Sequence, residues 1–345
     1  MRFLYLILIL SFLVIPVRAT DFTAPEVPEF GEKYFPEDTR SFSEGLLSIL
    51  TEAIAALNPD ITEAAGVCVR VLSVAILVGI LAGLQNCSTK TVELAGAILI
   101  ATMLIKPSDQ LLQYAITTIT ELCEYGKLLI PVLTGALAAQ GGASSATALC
   151  AGSMFFISLL AQGIHTLILP VTTVYTVLCI ARCAVTGQLL DSLHKFCKWL
   201  MTWGLKIILY VFIGYLSITG VISGSVDASA MKAAKLTISG VVPVVGSIMA
   251  DASEALLAGT GLIKNAAGVY GMLAILAVFI SPFLRIGVHY LMLKITAGIC
   301  SIFSDGICTK LIKDFSSVLG FLLGMIAAVC VMLMISTICF MKGVA

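Results

Sequence analysis

The stretch SVLGFLLGMIAAVCVMLMISTICFM, residues 317–341, decides the class of this protein. It carries no charged side chain and is long enough for an α-helix to cross the hydrocarbon core of a bilayer, which is about 30 Å thick. The whole chain is 59% hydrophobic and 12% charged, whereas soluble domains are about half apolar and a quarter charged. We therefore predict an all-α fold, a polytopic integral membrane helical bundle.

Five more apolar stretches precede this one, at residues 66–84, 92–105, 146–181, 200–222 and 266–293. The second is too short for a confident span, so we expect it to form a hairpin with the first across QNCSTKTVE, residues 85–93. The stretch 146–181 is too long for one straight span. Its interruptions, Gln162, Gly163, His165 and Pro170, predict two helices or one span with a re-entrant arm.

The N-terminus has the pattern of an export signal. Arg2 precedes an apolar run from Phe3 to Ile15, and Ala19 offers a cleavage point, so residues 1–19 are predicted to be a signal peptide. An uncleaved anchor is the alternative. Residues 20–60 are predicted to be an extended, extracytoplasmic, acidic and proline-containing segment with an amphipathic lead-in, followed by an N-terminal hydrophobic hairpin at 61–119.

Prolines recur at one spacing in the remaining chain. Pro131 and Pro243, and likewise Pro170 and Pro282, are 112 residues apart. This spacing predicts two degenerate membrane repeats of about 110 residues, 120–230 and 231–345, as in many transport proteins. Independent helices with incidental prolines are the alternative.

Basic residues indicate the topology of these repeats. The predicted loops 182–198 and 294–314 both carry an excess of lysine and arginine, which favours the cytoplasmic side for both. Repeats in the same orientation follow if each long apolar tract crosses once. Inverted repeats of three spans follow if each crosses twice.

The stretch GVVPVVGSIMADASE, residues 240–254, is the most polar helix candidate of the second repeat. Pro243 should begin or kink a helix, and Gly246 permits close backbone approach. Asp251 and Glu254 share one helical face. The candidate pore-lining or subunit-contact residues of this region are Lys235, Pro243, Gly246, Asp251, Glu254, Lys264 and Asn265, with Pro131 as the counterpart of Pro243. An interfacial helix with snorkelling lysines is the alternative.

A second polar stripe contains Arg285 and His289, four residues apart on one face of an apolar helix. Ionised groups in a membrane helix face the protein interior, water or a partner, so both residues join the pore-lining or subunit-contact candidates. Arg70 is interpreted as an interfacial anchor and His165 as a packing histidine.

Enzyme and metal signatures are absent from the sequence. It contains no HExxH, GxSxG, GxxxxGK[ST] or CxxC motif, so we predict no enzyme and no cofactor. The net charge of zero gives no reason to expect nucleic-acid binding. Most of the eleven cysteines lie in apolar runs, which is typical of helix packing. The spacing of Cys179, Cys183, His194 and Cys197 matches no zinc signature, so no metal is predicted.

The run AAKLTISGVVPVVGSIMADASEALLAGTGLIKNAAGVYG, residues 233–271, resembles the stage III sporulation protein AE family. LLIPVLTGALAAQGG, residues 128–142, and the N-terminal signal are similar to that family as well. The resemblance implies a multi-pass protein of endospore-forming bacteria in the mother-cell membrane around the forespore. It further implies a channel-like "feeding tube" complex, similar to parts of specialised secretion systems, with other proteins of the same sporulation operon and a forespore membrane protein.

Three functions fit these observations. The chain forms or supports a conduit of that complex, serves as a non-conducting polytopic scaffold, or transports a small solute as a secondary transporter. Membrane lipid surrounds the chain in all three, and the first two require an oligomer or a hetero-complex.

Overall fold

The computed structural model describes residues 25–36, 42–83, 89–139, 143–184, 187–218, 266–303 and 306–343, and no strand occurs within these ranges. The first two helices are short and the others are long. They are α1 (Glu29–Glu32), α2 (Phe42–Ala55), α3 (Asn58–Ala82), α4 (Thr89–Ala139), α5 (Ala143–Gly163), a π-helical turn (Ile164–Ile168), α6 (Leu169–Ala184), α7 (Gln188–Ile218), α8 (Ala266–Phe303) and α9 (Ile307–Gly343).

Six helical segments in the described part of the chain are long and apolar enough to cross a membrane. They are 58–82, 90–136, 146–184, 188–215, 267–303 and 307–341. The predicted all-α, polytopic bundle is confirmed. The division into two repeats stays a prediction, and the proposed boundary between residues 119 and 120 falls inside α4 rather than at a break between helices.

Helix α4 differs from the expected short hairpin arm at 92–105, because it continues for 51 residues. Beyond Lys106 the sequence is amphipathic, and it buries Leu111, Ala115, Ile119 and Leu122 at helical spacing. Tertiary packing of this face sustains the helix where average hydropathy falls. Two prolines, Pro107 and Pro131, lie inside α4 and do not end it.

The long tract 146–181 is interrupted where the sequence predicted it. Helices α5 and α6 are joined by a π-helical turn at Ile164–Ile168, directly before Pro170. A proline lacks the amide hydrogen that an α-helix requires, and a local π-turn accommodates such a defect without reversing the chain. The tract therefore forms one continuous helical segment that is interrupted by the π-helical turn.

The predicted loops 182–198 and 294–314 are mostly helical, so those boundaries were wrong. Helix α7 begins at Gln188, α8 extends to Phe303 and α9 begins at Ile307. Polar residues at helix ends lower the local hydropathy without stopping the helix. The carboxyl ends of α3, α6 and α8 meet the amino ends of α4, α7 and α9 at one end of the bundle, which we call the short-loop end.

Helix α9 is the centre of the described bundle. Its apolar segment is buried over almost its entire circumference, and it packs against α4, α5, α6, α7 and α8. A helix that is apolar on every side is suited to such a position. Glycines allow close approach: a side chain at Gly126 of α4 would overlap Leu333 of α9.

The N-terminal segment is not extended where it is described. Helix α1 packs against α8, and a side chain at Gly31 would overlap Val278. The Ser281 hydroxyl donates to the Tyr34 hydroxyl oxygen at 3.2 Å. The Phe35 ring packs against the Tyr270 ring in a tilted arrangement, with the centroids 4.6 Å apart. The acidic, proline-containing composition predicted an extended segment, but its aromatic residues pack against the bundle.

Candidate functional site

Arg285 lies near the middle of α8, and two carboxylates from the first turns of α3 face it. Its Nε lies 3.0 Å from Asp60 Oδ1, and its Nη2 lies 3.7 Å from Glu63 Oε2. The ring of Tyr114, from α4, lies under the guanidinium with its centroid 5.2 Å from Cζ. We call these four residues the Arg285 cluster.

The local sequence explains why the carboxylates are there. Pro59 stands in the first turn of α3, where its missing amide hydrogen costs nothing. Asp60 is in the same turn, where a negative charge interacts favourably with the helix dipole. Arg285 Nε is not aligned for a hydrogen bond with Asp60, so the contact is primarily one of opposite charges.

The Arg285 cluster is open to its surroundings. The side chains of Arg285 and Glu63 are 38% and 50% exposed, respectively. The cation–π contact and the nearby carboxylates stabilise the guanidinium, but they do not enclose it. The sequence predicted that Arg285 faces protein, water or a partner. Asp60 and Glu63 meet this requirement in part, and the exposed portion of the Arg285 side chain needs a further neighbour.

His289, the second residue of the predicted stripe, is buried. Its Nδ1 lies 3.0 Å from the backbone carbonyl oxygen of Arg285. It borders a cavity of about 10 Å³ between α3, α4, α8 and α9, close to the minimum for one water molecule. His289 thus lies near Arg285 in sequence but faces the bundle interior.

The other predicted site residues are dispersed or lie elsewhere. Pro131 is exposed on α4. Lys235, Pro243, Gly246, Asp251, Glu254, Lys264 and Asn265 lie outside the described residues. Their role as pore-lining or subunit-contact residues stays a prediction.

His165 and Arg70, interpreted from the sequence as a packing histidine and an interfacial anchor, are both exposed. His165 is exposed, with its Nε2 3.4 Å from Thr120 Oγ1, so the interpretation as a packing histidine was wrong. His165 lies within the π-helical turn, whose buried residues are Ile164 and Ile168. Arg70 is exposed and donates from Nε to the Gly66 carbonyl oxygen at 3.1 Å. It lies about 18 Å along the axis from the first residue of α3.

A second group of ionised residues lies towards the short-loop end. Arg182 of α6 contacts Asp191 of α7 at 2.7 Å and Asp314 of α9 at 3.1 Å. His194 Nε2 lies 3.3 Å from the other oxygen of Asp314, and Tyr175 stacks on the His194 ring with centroids 4.5 Å apart. We call Arg182, Asp191, His194 and Asp314 the Asp314 cluster.

Cys179 of α6 adjoins the Asp314 cluster. The Cys179 sulfur, a ring nitrogen of His194 and a carboxylate oxygen of Asp314 all lie within 4.8 Å of one another. The sequence spacing groups Cys179 and His194 with Cys183 and Cys197 rather than with Asp314. Asp314 comes from α9, and no spacing rule connects it with α6 and α7.

Sequence reasoning missed Asp60, Glu63 and Asp314 as site residues. Asp60 and Glu63 fell at the edge of a hydrophobic stretch, and Asp314 was used only for topology. A usable signal was present, since a carboxylate next to an apolar run needs a cation when the bundle buries it. It identifies the need for a partner but not which cation supplies it.

These observations define the class of the protein: a polytopic α-helical membrane protein with two interhelical charge clusters. The family model for Stage III sporulation protein AE matches residues 37–343. The chain belongs to the stage III sporulation protein AE family, so the resemblance stated above is confirmed. Family membership supports a role in sporulation.

A curated protein of the same family is similar in sequence to this chain. The chain is 22% identical over 225 residues to "Stage III sporulation protein AE" of Bacillus subtilis (strain 168). The alignment covers 65% of this chain and 56% of the relative, so the chain matches somewhat more than half of that protein's length. No solved structure matches the chain.

Proposed function

We propose that this chain is a membrane subunit of the channel-like feeding-tube complex between mother cell and forespore, where it forms or supports a transmembrane conduit required for endospore development. The family match over residues 37–343 supports the sporulation setting. The observation that carries the conduit is the half-exposed Arg285 cluster, in which an arginine on the span-capable helix α8 faces carboxylates at the start of the span-capable helix α3.

The surroundings of Arg285 determine the energy of its charge in a membrane. Placing an arginine in the hydrocarbon of a bilayer costs roughly 2.5–3.5 kcal/mol even on the scale derived from insertion experiments. Asp60 and Glu63 offset part of that cost, yet Arg285 and Glu63 remain substantially exposed on the single chain. A water-filled path or a neighbouring subunit removes the remaining cost, and bare lipid does not.

Arg70 strengthens this argument. Its side chain is exposed in the middle of α3 and, within the described residues, its hydrogen bond goes to its own helix. The cation therefore requires solvation from outside the chain in the same way as Arg285. Two such cations on neighbouring helices favour a hydrated or protein-covered face over a lipid-covered one.

Packing of α9 indicates where a conduit would run. This helix fills the middle of the described bundle, and two cavities beside it measure about 30 and 10 Å³, which is water-sized. A path for larger solutes would therefore lie between copies of the chain or between the chain and its partners. The chain would contribute the Arg285 cluster to its wall.

The same packing favours a second candidate, a non-conducting scaffold. A solid centre suits a platform that recruits the other proteins of the operon and the forespore membrane protein. In that case partner side chains, rather than water, cover Arg285 and Glu63. Within the part of the chain that the structure describes, the two cavities beside α9 are water-sized and give the third candidate, a secondary transporter, no support.

Cysteine accessibility in sporulating cells tests these proposals. In a background without native cysteines, Glu63→Cys and Arg285→Cys are treated with a membrane-impermeant charged maleimide after the mother-cell membrane has been permeabilised, with Leu77→Cys as the matched control. Leu77 is exposed on the same helix as Glu63 but lies among apolar residues. A conduit predicts fast labelling at 63 and 285 in the complete complex and little at 77.

The outcomes separate the candidates. Labelling at 63 and 285 only in cells that lack the partner proteins supports the scaffold and contradicts the conduit. Labelling as slow as that of Leu77→Cys, with and without partners, contradicts both, because those positions would then face lipid. Immunoblots for the full-length chain verify that each variant reaches the membrane.

A further inference from the structure

Three different metal-binding atoms converge where α6, α7 and α9 meet. Cys179 Sγ, a nitrogen of His194 and an oxygen of Asp314 lie within 4.8 Å of one another. In tetrahedral zinc sites the bond lengths of about 2.0–2.3 Å place neighbouring ligand atoms roughly 3.3–3.6 Å apart. The 3.3 Å separation of His194 Nε2 from Asp314 Oδ1 already has that value.

His194 supplies an independent observation. Its side chain is more than nine-tenths buried, and its Nε2 has no hydrogen-bond partner in the described part of the chain. Although Asp314 Oδ1 is close, the two groups are not aligned for a hydrogen bond. A buried imidazole nitrogen left without a partner is costly, and a metal ion between the two atoms would satisfy both.

The surrounding contacts resemble the support that metal sites require. Arg182 Nη1 holds Asp314 Oδ2 at 3.1 Å, so Oδ1 is left to face His194. Tyr175 stacks on the imidazole and fixes its plane. Groups that orient ligands in this manner contribute strongly to metal affinity.

Charge also favours a cation. Arg182 balances one of the two carboxylates that it contacts, Asp191 and Asp314, and one negative charge remains among these three groups. Binding a divalent ion with a Cys179 thiolate would leave the whole group neutral. The thiol proton is released to solvent in that step, as is general for cysteine ligands.

We propose that Cys179, His194 and Asp314 bind a divalent transition-metal ion, with Zn²⁺ as the ion that a sulfur, nitrogen and oxygen ligand set fits best. The three ligands come from three helices, so the ion fastens α6 and α7 to the central helix α9. Three protein ligands leave the fourth tetrahedral position to a water molecule. The ion's role is to hold the three helices together, and the site is separate from the Arg285 cluster. It does not depend on the conduit proposal.

Cobalt binding tests the site in the full-length protein, purified in detergent and stripped of metal. Co²⁺ added to the wild type should produce a thiolate-to-cobalt charge-transfer band that saturates at about one ion per chain. In Cys179→Ala the band should be lost, and in His194→Gln affinity should fall at least about 100-fold. Cys197→Ala is the matched control, because Cys197 is also buried, on α7, but lies outside the triad.

A wild type without the band, or a Cys179→Ala variant that keeps it, would overturn the proposal. So would wild-type cobalt affinity in His194→Gln. If the variants do not fold, the wild type decides alone: a chelator should lower its thermal unfolding midpoint and Zn²⁺ should restore it. An unchanged midpoint contradicts a structural ion at this position.

Discussion

The Arg285 cluster and the Asp314 cluster contain similar side chains but differ in enclosure. Each has an arginine between two carboxylates from other parts of the chain. Asp314 is only 16% exposed and joins three helices, whereas Arg285 is 38% exposed at the side of the bundle. The first arrangement is suited to holding helices together and the second to meeting what surrounds the chain.

Removing the central carboxylate should produce the largest loss of stability. Asp314→Ala leaves Arg182 and His194 without their common partner inside the bundle, and breaking a buried pair typically costs about 3 kcal/mol or more. Thermal unfolding in detergent and metal-free buffer measures the effect apart from any bound ion. Asp191→Ala, which removes a carboxylate that is 53% exposed, should cost about 0.5 kcal/mol.

Equal losses in the two aspartate variants would contradict the distinction between an enclosed and an open cluster. A small loss in both would mean that Asp314 is hydrated and does not fasten the helices. Circular dichroism before heating verifies that each variant begins from a helical state.

The second prediction concerns the Arg285 cluster, where a substitution should affect function more than stability. Arg285→Met should lower the free energy of unfolding by only about 1 kcal/mol, since the partners Asp60 and Glu63 remain partly hydrated. Spore formation should nevertheless fall sharply if the cation lines a conduit or contacts a subunit. Spore counts and thermal unfolding are measured on the same variants.

Charge exchange sharpens that prediction. In the double variant Arg285→Asp with Asp60→Arg, the intramolecular ion pair is restored with reversed direction. Recovery of stability without recovery of sporulation supports a role for the cation towards an outside neighbour. Full recovery of both would show that the pair acts only within the chain.

Hydropathy alone predicted the helix class and most of the spans, but it failed where amphipathic packing takes over. The stretch 92–105 looked too short because the window average falls after Lys106, yet the buried face of Leu111, Ala115 and Ile119 continues the helix. The interruption before Pro170 was predicted because proline acts locally. The beginnings of α7 at Gln188 and of α9 at Ile307 were not predicted. Polar residues near these positions lower the local hydropathy, but they are compatible with an α-helix.

The candidate site could be predicted only in part, for a related reason. Arg285 was found because an arginine in an apolar helix is locally conspicuous. Its partner Asp60 belongs to a distant helix, and only the parallel packing of α3 and α8 brings the two together. The convergence of Cys179, His194 and Asp314 likewise depends on three helices whose arrangement no local pattern specifies.

A smaller loss of stability is expected from changing Tyr114, whose ring lies beneath Arg285 in the Arg285 cluster. Tyr114→Leu removes the ring beneath Arg285 and should cost about 0.5 kcal/mol, the lower end of what cation–π contacts contribute at exposed sites. Tyr114→Phe keeps the ring and should remain close to the wild type. Thermal unfolding of both variants, with Phe30 unchanged, tests the assignment; equal losses would attribute the effect to the hydroxyl instead.

The smallest effect should come from His165, which contrasts with the buried His194. His165 is exposed on the π-turn, and its contact is a 3.4 Å approach to Thr120 Oγ1, so His165→Ala should change the free energy of unfolding by less than about 0.5 kcal/mol. His194→Ala should cost several times more, because it removes a ring that packs on Tyr175 and faces Asp314. If His165→Ala were the more damaging variant, the π-turn would be under a constraint from outside the chain. In that case, burial within the bundle would not separate the polar side chains that stabilise the fold from those that face outward.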